Sequence, residues 1–229
     1  MSPVIFRKTY EPPPLCEKEI LRYAGCRAPD ENVSALLADC VRELCGQLCC
    51  AVCCCALPVS LREGCCDFGV FSVRSEKLAC NLRGCRRVLL FAATVGVELD
   101  RLIARYGRLS PARALLFQAI GAERIEALCD AFCDEAGQAL HTRLRPRFSP
   151  GYGDLPLTVQ KEIFAVLDCP RQIGLSLTDS LLMSPSKSVT AFAGIEESPT
   201  GDGQTDRPRP HTNRCSTCEK QDCSFRGAL

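Results

Sequence analysis

A charge of one sign is the first thing this sequence lacks. Lys+Arg of 28 against Asp+Glu of 27 leaves a formal net charge of +1 over 229 residues. Electrostatics therefore gives no case for nucleic acid or an anionic membrane as partner. Histidine is almost missing too: there are two, His141 and His211. No Ser/His/Asp series, no glycine-rich phosphate loop and no His-Glu-x-x-His occurs, which leaves a free-standing hydrolase or kinase little support. Long apolar runs are absent as well. The start, MSPVIFRKTYEPPPL, has no apolar core of a signal peptide, and the longest candidate span, Leu48 to Val59, is too short to cross a bilayer. The expectation is a cytoplasmic protein, with neither membrane nor nucleic acid as partner, and 229 residues allow one domain or two.

What the chain has in excess is cysteine, 19 in all. A disulfide framework is disfavoured by the missing secretory signal, by the odd number and by adjacency: Cys49-Cys50, Cys53-Cys54-Cys55 and Cys65-Cys66 are too close to pair well with one another. From Cys16 to Cys169 most stand where alanine or valine would stand on a helix or strand, and reduced cysteine is a small buried hydrophobe there. A metal nest around CCAVCCC is the sharper alternative. It suffers because consecutive thiolates on a strand point to opposite faces.

Periodicity organises the rest. Ile20, Leu21 and Ala24 mark a helix within Glu17 to Cys26. Pro29-Asp30 introduces a second, with Val33, Leu36, Leu37, Cys40, Val41 and Leu44 as its inner stripe. From about Cys50 to Val73 the pattern is strand-like, with a turn at Leu61 to Gly64, and Arg86 to Gly96 reads as a buried strand ending in a glycine turn. A helix follows with Val97, Leu99, Leu102 and Ile103 inward. Ser110-Pro111 supplies a capping hydroxyl and a first-turn proline for a helix reaching about Leu140, roughly 45 Å long, with Gly121 as a bend. Another helix is expected from Thr158 to Leu167. Ile173 to Ile195 reads as two strands joined at Ser184 to Lys187. The mix predicts an α+β fold: mainly antiparallel sheet flanked by helices, one of them long. Residues 1–195 form the domain, 196–214 a polar linker rich in proline and glycine, and 215–229 a cysteine-rich tail.

One stretch carries more chemistry than its turn requires. In RPRFSPGYGDLPLTVQKEIF, an arginine and a tyrosine flank Ser149-Pro150-Gly151, and a helix follows. Proline-glycine forces a turn and lets a group approach the main chain closely. A loop that merely precedes a helix, with Tyr152 packed on it, would read the same way.

Together with IGLSLTDSLLMSPSKSV further on, RFSPGY with Pro156 and Lys161 resembles the S-adenosylmethionine-binding activation domain of cobalamin-dependent methionine synthase. That family has Arg-x-x-Pro-Gly-Tyr, a helix, then Leu-Thr-Glu-Ser…Met…Pro…Ser-Val. LRYAGCR and FAATVGVELDRLIARYGRLSPARALLFQAIGA look like its shorter, free-standing relatives, so the resemblance spans roughly residues 17 to 195. It implies an accessory subunit, incomplete as an enzyme by itself. Such a subunit binds S-adenosylmethionine and supports reductive methylation of inactive cob(II)alamin. The cobalamin is carried by a partner, a corrinoid-binding methionine synthase lacking this domain, and the electron comes from a flavodoxin-like or ferredoxin-like donor. By similarity Arg147 offers a fork of donors to the ligand's carboxylate, Tyr152 a hydroxyl and a π face near the sulfonium, and the main chain at Ser149 and Gly151 an approach to the adenine edge.

The sequence departs from the full-length domain at several places. Asp179 replaces the hairpin glutamate, Ser184 stands where tryptophan is frequent, and Leu157-Thr158 replaces Asp-His. No N-terminal acidic match exists, so the partner of the ligand's amino group is unassigned. Nor does the chain contain the Asp-x-His-x-x-Gly by which many corrinoid proteins offer histidine to cobalt. In the tail, Cys215, Cys218 and Cys223 form C-x2-C-x4-C, three thiolates suited to zinc or an iron–sulfur cluster. His211, another cysteine or a partner's residue would complete the set. A reactive or unstructured thiol tail is the alternative. Two further functions thus stand beside the first: a metal or iron–sulfur redox and docking protein for a corrinoid methyltransferase, and a module that only caps the cobalamin domain.

Overall fold

In the computed structural model of the protein, residues 3–196 are described. The chain divides into two units, Met1–Glu197 and Ser198–Leu229, and the second lies outside the described residues. The first strand, β1 (Phe6–Tyr10), precedes helices α1 (Glu17–Tyr23) and α2 (Glu31–Leu44), and then β2 (Cys50–Pro58). A small meander follows, β3 (Ser60–Arg62), β4 (Cys65–Asp67) and β5 (Ser72–Arg74), leading into α3 (Glu76–Asn81) and β6 (Arg87–Thr94). Helices α4 (Glu98–Leu109) and α5 (Pro111–Ala139) come next. A short 3-10 turn, Leu157–Val159, opens α6 (Gln160–Leu167), which is followed by α7 (Cys169–Ile173). The hairpin strands β7 (Ser176–Leu177) and β8 (Met183–Ser184) and the long β9 (Ser188–Ile195) complete the order.

The central sheet has the order β1-β2-β6-β9, antiparallel throughout. Side chains alternate between its faces, and both faces are covered. Val52, Phe91, Ala93, Ala191 and Ala193 pack with Ile20, Leu37, Leu102, Phe117, Ile120 and Leu128 of α1, α2, α4 and α5. Cys53, Cys55, Leu90, Ala92 and Phe192 pack on the other side with Phe68, Leu78, Ile163, Phe164 and Leu167. Double coverage explains why β6 reads as a continuous apolar run from Val88 to Ala93. The cysteines divide as the alternation demands, Cys50 and Cys54 toward one face, Cys53 and Cys55 toward the other.

All sixteen cysteines among the described residues are free thiols, nine of them buried, and no group of metal-ligating side chains is found among those residues. The nine buried ones serve as core residues. Burial pushes the Cys40 and Cys66 thiols up to about 11 and Cys55 to about 12, which keeps them neutral and unreactive.

Helix starts follow their chemistry unevenly. Asp30 caps α2 by accepting from the Val33 N–H at 2.8 Å. Ser110 does stand at the N-cap of α5, with Pro111 in the first turn, but its hydroxyl makes no capping bond. Val97 is 42 % exposed because it precedes α4 instead of joining its inner stripe. Gly121 is explained by a close approach: an added Cβ would lie 2.7 Å from the Lys187 side chain, which crosses the helix there. The expected pair of strands over 173–195 is also corrected. The hairpin is β7 with β8, whereas β9 leaves it to pair with β6. Among the described residues no helix is long and apolar enough to cross a membrane.

Candidate functional site

Past α5 the chain turns back and runs along the outer edge of β9. Leu144 bridges Ile195 and Phe148 bridges Phe192. Arg145 N–H donates to Gly194 at 2.7 Å, and Phe148 and Phe192 exchange both backbone bonds at 2.9 Å. This segment covers an edge that would otherwise be exposed for pairing. Strand geometry then sends neighbours to opposite sides. Phe148 enters the core beneath Phe192, and Arg147 turns toward α5.

There Arg147 meets two carboxylates. Its Nη2 donates to Glu126 at 2.7 Å and its Nη1 to Asp130 at 2.5 Å. Glu126 and Asp130 are four residues apart, so they share one face of α5. The arginine side chain is 10 % exposed, its partners 40 % and 41 %. Behind them lies Cys129, fully buried, whose thiol burial pushes far up. The fork that the sequence offered to a ligand is therefore held by the protein's own acids.

The turn itself is tight. Tyr152 N–H donates to the Ser149 carbonyl at 3.1 Å, and Gly151 N–H to the Leu155 carbonyl at 2.9 Å. Gly151 has φ +85°, and Gly153 has φ +62°, conformations that favour glycine. The close approach expected at Gly151 is made by Leu157, whose methyl would be 3.2 Å from an added Cβ. Tyr152 stands 59 % exposed with its ring edge-on to Phe148, centroids 5.4 Å apart. Ser149, Gly151 and Tyr152 are thus gathered on one turn, while the Arg147 guanidinium lies to the side, on α5.

Asp154 locks this turn to the rest of the fold. Its carboxylate accepts from Ser75 Oγ at 2.5 Å and from the Glu76 N–H at 2.7 Å, at the start of α3. The Ser75 bond first, then the Glu76 and Lys77 N–H groups, hold its carboxyl below the ordinary range. Sequence reasoning missed Asp154, Glu126 and Asp130. The last two were detectable as an acidic i,i+4 pair on a helix whose neighbours are mostly buried.

Elsewhere, a cleft of about 720 Å³ lies where β1, β2 and β6 end beside α7, lined by Arg7, Thr9, Cys49, Thr94, Gly96 and Arg171 among others. None of Arg147, Ser149, Gly151 or Tyr152 lines it. The turn presents an exposed aromatic beside its main-chain groups, with the Arg147–Glu126–Asp130 cluster to its side. We assign the candidate site to the turn. Cys215, Cys218, Cys223 and His211, with the linker, lie outside the described residues.

Residues 142–199 match the family profile of the vitamin B12 dependent methionine synthase, activation domain. A crystal structure of the MetH reactivation domain bound to AdoHcy matches with a TM-score of 0.63 and 14 % identity, covering 89 % of this chain and 81 % of that one. No curated protein matches the chain. The resemblance read from RFSPGY and the following segments holds: the pattern lies in the matched residues, and the α+β fold is that of the reactivation domain.

Proposed function

We propose, from the premise that residues 142–199 carry the activation-domain pattern on the activation-domain fold, that this chain binds S-adenosylmethionine and serves in the reactivation of a corrinoid held by a partner protein. The observation that carries this is the turn over Arg147 to Tyr152. It lies inside the matched segment, and its bonds to β9 and α3 hold it rigid while Tyr152 stays exposed. Rigid elements are where a ligand-orienting group belongs.

The residues present suit the ligand's parts. A methionine-derived end carries one carboxylate and one ammonium. Arg147 is the complement of the first, and the Glu126 and Asp130 carboxylates around it are the complement of the second. Tyr152 offers its ring to a sulfonium. The Ser149 carbonyl, which accepts one bond within the turn, keeps a second lone pair for a donor such as an adenine amino group. Bound S-adenosylmethionine would supply an electrophilic methyl to a cobalt centre on the partner, drawing an otherwise uphill one-electron reduction forward. The chain's own part is to hold that methyl at the surface, and the exposed side of Tyr152 is where a partner could reach it.

The test is reactivation of a corrinoid-bearing synthase that lacks this domain, with a low-potential electron donor and S-adenosylmethionine. Arg147→Met should abolish recovery of activity, and deletion of residues 211–229 should spare it. The C-x2-C-x4-C spacing supports a second reading, a zinc or iron–sulfur protein in which the tail passes the electron or docks the donor. Loss of recovery only on deleting the tail, with iron, sulfide or zinc found after anaerobic purification, would favour it. If neither change matters while the partner still binds, the chain only caps the corrinoid domain.

A further inference from the structure

We infer that the cleft of about 720 Å³ beside β1 and α7 is a second binding site, separate from the Arg147 to Tyr152 turn, and that it takes an organic phosphate: a phosphomonoester on an apolar body. Arg7 and Arg171 hold the phosphate, and Leu48, Val97 and Ile173 face the body.

The fold brings the two arginines together through one strand. Arg7 stands directly across from Cys53 in the antiparallel pair of β1 with β2. Side chains opposite one another in such a pair leave the sheet on the same face, so Arg7 projects on the face that buries Cys53. Helix α7 packs on that same face, with Cys169 against Cys53 and both fully buried. Arg171 follows two residues later and lines the cleft together with Arg7. Left-handed residues bracket this short helix, Asp168 at φ +47° and Gly174 at φ +65°, and fix where it starts and stops. Thr9 shares the face of Arg7 by alternation and adds a hydroxyl to the lining.

Charge then identifies the ligand. Arg7 and Arg171 are both exposed, and among the described residues neither makes an ion pair, whereas Arg22, Arg101, Arg113, Arg124 and Arg147 each hold a carboxylate. Glu11 is the one carboxylate in the lining, so two positive charges face one negative. A carboxylate ligand has two oxygens, which a single guanidinium fork already satisfies. A phosphomonoester has three terminal oxygens and a charge of about −1.5 to −2 at neutral pH, enough for both forks. The cleft is also far larger than a bare phosphate. Its volume lies in the range of sites for whole small molecules, about 300–1,000 Å³, and the exposed Val97 joins Leu48 and Ile173 as its apolar wall. The ligand therefore carries apolar surface beside its phosphate. S-adenosylmethionine has no phosphate, so the cleft and the turn recognise different chemistry.

Titration of the full chain with 1-naphthyl phosphate, followed by the naphthyl fluorescence, tests the site, with 1-naphthol and inorganic phosphate as the two halves of the ligand. Naphthyl phosphate should bind at one site per chain, about tenfold or more tightly than either half, the worth of one charge-assisted hydrogen bond. Arg7→Gln and Arg171→Gln should each weaken it about tenfold, and Glu11→Gln should strengthen it. Arg108→Gln, which removes the same charge at the far end of α4, should leave it unchanged. Circular dichroism verifies folding. Should a glutamine variant not fold, Arg7→Lys or Arg171→Lys takes its place, losing the fork while keeping the charge, and weaker binding is again expected. Any binding of S-adenosylhomocysteine should be the same in the wild type and the folded cleft variants. Equal binding of naphthyl phosphate and naphthol by the wild type, or equal losses in Arg108→Gln and the cleft variants, overturns the phosphate site. Inorganic phosphate binding as tightly as naphthyl phosphate overturns the apolar body. Loss of S-adenosylhomocysteine binding in folded Arg7→Gln overturns the separation of the two sites.

Discussion

Replacing Arg147 by methionine keeps the buried stem and removes the fork, which isolates what the two ion pairs contribute to the fold. Each is a charge-assisted hydrogen bond, a type that contributes about 1.5–3 kcal/mol when fully protected. Here Glu126 and Asp130 are 40 % and 41 % exposed, so solvent screening brings each down to about 1 kcal/mol. The freed carboxylates rehydrate, so no stranded buried charge adds to the cost. Arg147→Met should therefore lower stability by about 2 kcal/mol, which moves a urea midpoint by roughly 1 M for a slope near 2 kcal/mol per M. The assay is equilibrium urea unfolding followed by far-ultraviolet circular dichroism, run as a double-mutant cycle with Asp130→Asn. A coupling of about 1 kcal/mol between the two positions is expected. A coupling near zero would show that the arginine is not held by Asp130 in solution.

Other expectations follow from burial and charge. Phe192 is fully buried and stacks on Phe68 with ring centroids 5.0 Å apart, besides bridging Phe148, so Phe192→Ala should cost about 3–5 kcal/mol in urea unfolding and loosen the turn as well. Asp154, with its carboxyl held below the ordinary range by Ser75 and the α3 N–H groups, contributes stability that is present above its unfolded pKa, about 4, and lost as pH falls through the lower folded value. The acid limb of a thermal-unfolding profile should accordingly flatten in Asp154→Asn. Thiol labelling under native conditions should mark the exposed Cys16, Cys45, Cys49 and Cys80 quickly. Cys40, Cys53, Cys55, Cys66 and Cys129 should label only on unfolding, and native labelling of these five would contradict their place in the core.

How much of this was readable beforehand varies by element. Ser110-Pro111 and a long apolar stripe announced α5 because helix signals are local: a cap position, a fixed φ and a 3.6-residue period. β6 was equally plain, since a strand buried on both faces writes a continuous apolar run. β1 was not seen. FRKTY alternates poorly and is exposed over Phe6 to Thr9, and what makes it a strand is pairing with Cys50 to Cys54, forty or more residues away. The same cause misplaced β9, whose partner β6 lies about a hundred residues earlier, so a nearby hairpin seemed the simpler solution. At the site, Tyr152 and the glycine turn were legible because φ and exposure are local properties. The occupation of Arg147 was not, because it depends on a helix seventeen to twenty-one residues back folding against that turn.

Calorimetry of the intact protein with S-adenosylhomocysteine goes most directly to the assignment of the Arg147 to Tyr152 turn. Saturable heat at a single site per chain, abolished in a folded Tyr152→Ala protein and retained after removal of residues 211–229, is the predicted result. Absence of heat at millimolar ligand, with the corrinoid-bearing partner present as well as without it, would contradict the assignment.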